Sequence, residues 1–167
     1  WAGSGCERAA VGHRPWGSSL AFPMAMRGPG RVRRLALYDA WVYADQLPAT
    51  FYWARADGFG ELIFGLFYDQ QPNGKLAAAF YDRSRLTQPY GDTVKETRGR
   101  PGTEAAALAA GRGQRFEQWE EGYRDVTQPT LLLWGREDRV SPLRYGERLV
   151  RQLPNAELEV YPRCGHF

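Results

Sequence analysis

Two short sequences in the C-terminal part of the chain hold side chains suited to proton transfer. Gly135-Arg136-Glu137-Asp138 follows the apolar run Thr130-Leu131-Leu132-Leu133-Trp134, and Pro162-Arg163-Cys164-Gly165-His166 follows Glu157 to Tyr161. A carboxylate facing an imidazole fixes one tautomer of the ring and stabilises the imidazolium formed when the ring accepts a proton. Asp138 and His166 are therefore the candidate acid and base. A loop aspartate alone is ordinarily a solvated turn residue, and a lone histidine is ordinarily structural. The order strand, Gly-x-x-Asp, helix, strand, Gly-His is far more specific than either.

Those two loops need elements that bring them together. The unbroken apolarity of Thr130 to Trp134 predicts a strand covered on both faces, as in a parallel sheet. Glu157 to Tyr161 and Val32 to Tyr38 predict two more strands. Between the last pair, Tyr145, Leu149, Val150 and Leu153 recur at helical spacing, with Ser141 as the predicted cap, Pro142 at the first helical position and Pro154-Asn155 as the stop. A strand–helix–strand unit of this kind crosses over right-handedly. The carboxyl ends of its strands then share one sheet edge, where ligands bind in open α/β sheets.

The stretch from Asp45 to Asp125 has another character. Phe51, Tyr52, Trp53, Phe59, Phe64, Phe67, Tyr68, Phe80 and Tyr81 are interleaved with glycine and followed by the helix-favouring Thr103-Glu104-Ala105-Ala106-Ala107-Leu108. This predicts a mostly helical insertion between two strands. Its aromatics either pack as ordinary core or in part line an apolar substrate pocket. No internal repeat is visible.

Composition bounds the rest. A chain of 167 residues with 43% hydrophobic, 25% charged and 14% aromatic residues reads as one globular domain and excludes collagen-like, low-complexity and fully disordered chains. At this length roughly 70% of the unfolded surface can be buried, so the core needs no metal or disulfide, and no cofactor is expected. No run approaches the roughly 20 apolar residues of a membrane span. Trp1 to Arg8 lack the basic-then-apolar order of a signal peptide, so a cytoplasmic setting is expected. The isoelectric point near 9.0 is basic, but Arg31, Arg33 and Arg34 sit beside apolar residues and form no stripe, so no nucleic-acid partner is expected. Cys6 and Cys164 stand far apart without a CxxC pair and read as small packing residues.

With these motifs in place, the chain resembles the α/β-hydrolase family from near the nucleophile elbow to just past the catalytic histidine, most strongly from Gln128 to Phe167. The resemblance implies the C-terminal part of a doubly wound, mostly parallel sheet with an inserted helical cap. Residues 1–44 would be partial core, 45–125 the cap, and 126–167 the strand–helix–strand unit. It also implies Asp138 as triad acid, His166 as base, and hydrolysis of an ester, thioester or amide of a small apolar substrate selected by the cap.

Near the N-terminus, Val11-Gly12-His13-Arg14-Pro15-Trp16-Gly17-Ser18-Ser19-Leu20-Ala21 is similar to the G-x-S-x-G elbow and its helix, with one departure. The glycines are five positions apart instead of four, and Arg14 or Pro15 falls at the apex; neither is a nucleophile. Proline fixes φ near −65° and restricts the preceding residue, so the strained elbow of the family is not expected here. Ser18 and Ser19 read as helix-start residues of a helix from Ser18 to Arg27. Pro23 is expected to interrupt that helix at a cost on the order of 3 kcal/mol, unless it lies in the first turn or a kink.

In the family much of the sheet precedes the elbow, so the resemblance implies a truncated member without its nucleophile. An open strand edge, suited to self-association, is a further expectation. Trp16-Gly17-Ser18-Ser19 favours the serine branch over the aspartate-nucleophile branch of epoxide hydrolases and dehalogenases. A reading from a different class is a non-catalytic protein that binds a hydrophobic ligand; the missing nucleophile favours it, and the Gly-x-x-Asp and Gly-His pair opposes it.

Overall fold

The computed structural model describes residues 8–68 and 72–167. Trp1 to Glu7, and with them Cys6, lie outside the described residues, as do the side chains of Phe64, Phe67 and Tyr68. Four strands, β1 (Ala9–His13), β2 (Val32–Tyr38), β3 (Thr130–Gly135) and β4 (Ala156–Tyr161), form one sheet in the order β1-β2-β3-β4. Every neighbouring pair is parallel, with Leu132 beside Leu37 on one side and Leu158 on the other. Parallel neighbours require a crossover each time. Helix α1 (Ser18–Arg27) joins β1 to β2, and α7 (Arg144–Gln152) joins β3 to β4. Between β2 and β3 run α2 (Ala49–Trp53), α3 (Phe59–Tyr68), α4 (Pro72–Ala79), α5 (Gln88–Arg98) and α6 (Thr103–Arg112).

Strand alternation sorts the side chains between two faces. Val11, Leu35, Leu37, Leu132 and Trp134 point to one face and are buried against Ala21, Phe22 and Ala25 of α1 and Tyr145 and Leu149 of α7. At roughly 1.5–3 kcal/mol for each large apolar side chain buried, this seam is the main stabilising layer. Trp134 is wholly buried, and its indole N–H donates to the Ser141 carbonyl at 2.7 Å.

On the opposite face Leu131 and Leu133 are only half-buried, and Ala10, Gly12, Glu157 and Glu159 are exposed. This corrects the expectation that β3 is covered on both faces. Leu131 instead lines an open groove of about 480 Å³ shared with Ala10 and Ala36.

One helix start differs from expectation, and the other falls where it was expected. Helix α7 begins at Arg144, and Ser141 does not cap it. The Ser141 hydroxyl donates to the Ala40 carbonyl at 3.2 Å, because its loop is held by Asp138. Helix α1 begins at Ser18, but its N-cap is Gly17 and no side chain caps it. Ser18 is buried, and Ser19 donates back to the Trp16 carbonyl at 2.7 Å. Pro23 lies inside α1, which continues to Arg27. Burial of Ala21, Phe22 and Ala25 around it offsets the hydrogen bond that proline cannot make. Among the described residues no helix is long and apolar enough to cross a membrane.

Candidate active site

The carboxyl ends of β2, β3 and β4 each release a loop that contributes one side chain to a buried cluster. From β3 comes Asp138, whose Oδ1 accepts the backbone N–H groups of Val140 at 2.7 Å and Ser141 at 2.8 Å. An aspartate bonded to backbone two and three residues ahead makes a tight turn, which aims the carboxylate back over the strand end. Its Oδ2 lies 2.7 Å from Nδ1 of His166, in the loop after β4. Both side chains are almost fully buried, so little water competes for this bond.

The two loops are laced together by main chain. Arg136 N–H donates to the Tyr161 carbonyl and Glu137 N–H to the Cys164 carbonyl, both at 3.0 Å. The Cys164 N–H donates to Glu137 Oε2 at 3.0 Å. Two glycines permit this closeness. A Cβ on Gly135 would lie 2.4 Å from the Gly165 carbonyl oxygen, and one on Gly165 would lie 2.6 Å from that of Ala79. The helical insertion clamps the histidine: His166 and Phe167 both donate their N–H groups to the Ala79 carbonyl at the end of α4, at 2.7 and 3.1 Å.

Asp39, at the end of β2, is a third member that the motif search missed. The rule that directs attention to residues just past Trp134 and Tyr161 also finds it, since it directly follows Tyr38. Its φ of 45° places it in the left-handed region, which aspartate tolerates better than most residues. Its Oδ1 accepts the Gly135 N–H at 2.9 Å. Burial pushes its carboxyl up to about 6; the Asp138 charge adds to this, while the Gly135 N–H and His166 oppose it.

Asp39, Asp138 and His166 offer ligand atoms within 4.8 Å of one another. Both Asp138 oxygens and Nδ1 of His166 are already engaged in hydrogen bonds. The donor set is thus arranged around shared protons.

His166 lines a cleft of about 400 Å³ with Pro15, Trp16, Trp41, Leu76, Ala79, Val94, Val140 and Phe167 as apolar walls and Arg98 among them. Trp16 and Trp41 stack with centroids 6.0 Å apart, and Phe51 meets both edge-on. The cleft's aromatic side chains therefore come from Trp16, Trp41 and Phe167. Among the described residues, the insertion supplies Leu76, Ala79, Val94 and Arg98 to the cleft and none of its aromatics, which favours the packing alternative over the pocket one. Phe80 and Tyr81 border a different hollow with Pro162 and Arg163.

At the strand–helix turn, Arg14 has φ −93° and ψ 173°, and Pro15 to Gly17 form one 3-10 turn closed by Gly17 N–H to the Arg14 carbonyl at 2.8 Å. No residue of this turn has positive φ. The Arg14 guanidinium lies over the Phe167 ring at 5.2 Å and donates to the His166 carbonyl at 2.9 Å. Thus Asp138 and His166 meet directly, Arg14 reaches the histidine only through its backbone, and Pro15 and Trp16 wall the cleft. Neither Ser18 nor Ser19 is a hydrogen-bond partner of His166.

The sequence profile of the alpha/beta hydrolase fold matches residues 10–167. A 2-hydroxy-6-oxononadienedioate/2-hydroxy-6-oxononatrienedioate hydrolase of Paraburkholderia phymatum is 32% identical, covering 98% of this chain and 57% of the relative. A 2-hydroxy-6-oxo-2,4-heptadienoate hydrolase of Pseudomonas putida is 30% identical, covering 96% and 58%. The solved structure of a serine-to-alanine mutant of a meta-cleavage product hydrolase from Pseudomonas fluorescens superimposes with a TM-score of 0.73 at 25% identity, covering 96% of this chain and 58% of that one. The chain therefore spans less than two thirds of the length of these relatives.

Proposed function

The chain belongs to the alpha/beta hydrolase fold family, and from that premise we propose that it is the acid–base and cap portion of a hydrolase acting on a small, largely apolar carbonyl compound of the 2-hydroxy-6-oxo-dienoate class. The observation that carries this reading is the buried 2.7 Å bond between Asp138 and His166 in the wall of an apolar cleft. With Nδ1 committed to Asp138, Nε2 remains to take a proton from a water that adds to the substrate carbonyl and to return it to the carbon that leaves when the adjacent bond breaks. Asp138 stabilises the imidazolium formed between those steps.

The cleft's aromatic and aliphatic walls suit a diene and its alkyl tail, and Arg98 suits the carboxylate of such a substrate. Esters, thioesters and amides share with these dienoates an electrophilic carbonyl carbon. The relatives' names support a substrate of the 2-hydroxy-6-oxo-dienoate class, and they support the serine-type branch over the epoxide hydrolase and dehalogenase branch. Helices α2 to α6 are read as the cap, since α4 and α5 supply Leu76, Ala79 and Val94 to the cleft.

A second reading, ligand binding without turnover, is favoured by Arg14-Pro15 at the place of the nucleophile. One experiment separates the two. The chain is titrated with 2-hydroxy-6-oxohepta-2,4-dienoate while tryptophan quenching reports binding next to Trp16 and Trp41 and dienoate absorbance reports hydrolysis. Loss of absorbance faster than with His166→Ala assigns hydrolysis to the pair. Saturable quenching with no such loss leaves binding alone, and absence of quenching overturns both.

A further inference from the structure

The hydrolysis proposed above uses Asp138 and His166, yet β2 delivers a second carboxyl to the same place. Asp39, Asp138 and His166 are 7%, 5% and 6% exposed, and their nearest ligand atoms all lie within 4.8 Å. Asp39 is held firmly: its N–H donates to the Leu133 carbonyl at 3.0 Å, and its Oδ1 accepts from Gly135 at 2.9 Å. The two carboxyls are unequally provided for. Asp138 has Val140 N–H, Ser141 N–H and the His166 ring around its oxygens, whereas among the described residues the N–H donor to Asp39 is that of Gly135, with the Asp138 carboxyl beside it.

Two carboxylates this close in a dry site cannot both ionise cheaply, and the proton goes to the one whose anion is less well solvated. We propose that Asp39 and Asp138 form a proton-sharing carboxyl pair, in which Asp39 is a positioning residue that sets the charge facing His166. The assignment rests on reading Asp138 and His166 as the acid–base pair.

The direction of Asp39's ionisation agrees, since burial and then Asp138 drive it upward. The groups facing it are Asp138 from the loop after β3 and His166 from the loop after β4. Cys164 stands beside them; burial pushes its thiol up first, then Asp39, Asp138 and Glu137, with Arg14 opposing. Below about 6 the imidazole faces one negative charge, and above it two.

The test is carboxyl ¹³C NMR of the whole chain across pH, with the Asp39 signal assigned by its disappearance in Asp39→Asn. The expected result is a carboxyl titrating well above the ordinary aspartate range, moving down by on the order of one pH unit in Asp138→Asn. The His166 Nδ1 proton resonance should also shift through the Asp39 transition in the unaltered chain and stay flat there in Asp39→Asn. Asn tolerates the left-handed backbone and keeps an oxygen for Gly135, so this variant retains the turn.

An Asp39 carboxyl titrating in the ordinary range in the unaltered chain overturns the pair, with no variant of Asp138 needed. A Nδ1 resonance indifferent to that transition overturns the positioning role. Neither measurement involves substrate, so failure of dienoate binding and failure of the carboxyl pair are separate results.

Discussion

Arg14 Nη2 donates to the main-chain oxygen of His166 at 2.9 Å, so the residue at the strand–helix turn braces the histidine by its backbone and offers its ring nothing to deprotonate. A guanidinium stays protonated at any working pH. Ser18 is buried, and the Ser19 hydroxyl is committed to the Trp16 carbonyl. A fluorophosphonate probe, which reports an activated serine by a covalent adduct, should therefore leave the chain unlabelled in intact-mass spectrometry. An adduct mapped to Ser18 or Ser19 would place a nucleophile where the geometry gives none.

Asp138 does two jobs with its two oxygens, and substitution can separate them. Asp138→Ala leaves the Val140 and Ser141 N–H groups and the His166 ring without an acceptor. Each buried unsatisfied group costs about 1–3 kcal/mol, so a loss of roughly 3–5 kcal/mol is expected in urea unfolding. Asp138→Asn keeps an oxygen for the turn and should lose less than half as much stability, while losing the charge that supports the imidazolium. Equal losses in the two variants would show that the backbone bonds to Oδ1 contribute little.

The meeting of Asp138 with His166 was legible in the sequence because both sit directly after runs of strand-forming residues, where topology alone brings loops together. The three strands on which they depend were legible for the same reason: Leu35, Leu37, Leu132 and Trp134 leave a period-two or unbroken apolar trace. Asp39 was obscured because Tyr38-Asp39-Ala40 matches no spacing motif, and its meaning depends on Gly135 closing on it from the next strand. The source of the cleft's aromatics was also hidden. Trp16, Trp41 and Phe167 meet there although they are far apart in the chain, and the aromatic-rich stretch from Phe51 to Tyr81 suggested itself only by density. Leu131 and Leu133 misled in the other direction, since apolarity records what a face can contact and not which helices of this chain cover it.

Gly135 and Gly165 set how closely the acid and base loops approach. Neither has positive φ, so a substitution here is opposed by contact and not by backbone preference. The new methyl of Gly135→Ala would meet the Gly165 and Cys164 carbonyls, and that of Gly165→Ala the Ala79 carbonyl and the Tyr81 N–H nitrogen. Because backbone atoms cannot swing aside as a side chain can, a destabilisation of about 1–3 kcal/mol is expected for each. Gly30→Ala, where the methyl would meet nothing within 4 Å, is the control. A urea midpoint for either site variant equal to that of the control would mean the loops have room the contacts do not show.

Asp39 gives the stability a pH dependence whose sign is opposite to that of a salt-bridged carboxylate. Its carboxyl titrates near 3.8 when unfolded and about 6 when folded, so between those values the folded chain binds more protons than the unfolded one. Stability contributed by this group is then present below about 4, falls as pH rises toward 6, and stays lost above that. Asp39→Asn has no such ionisation. Relative to the unaltered chain, it should be about equally stable near pH 4 and more stable at pH 7.5, by up to roughly 3 kcal/mol if the full difference is realised. Chemical denaturation of both proteins at the two pH values measures this directly, because contributions from groups outside the Asp39, Asp138 and His166 cluster cancel in the comparison. A stability difference between them that does not change with pH would mean that the Asp39 carboxyl is as easily ionised in the fold as in water.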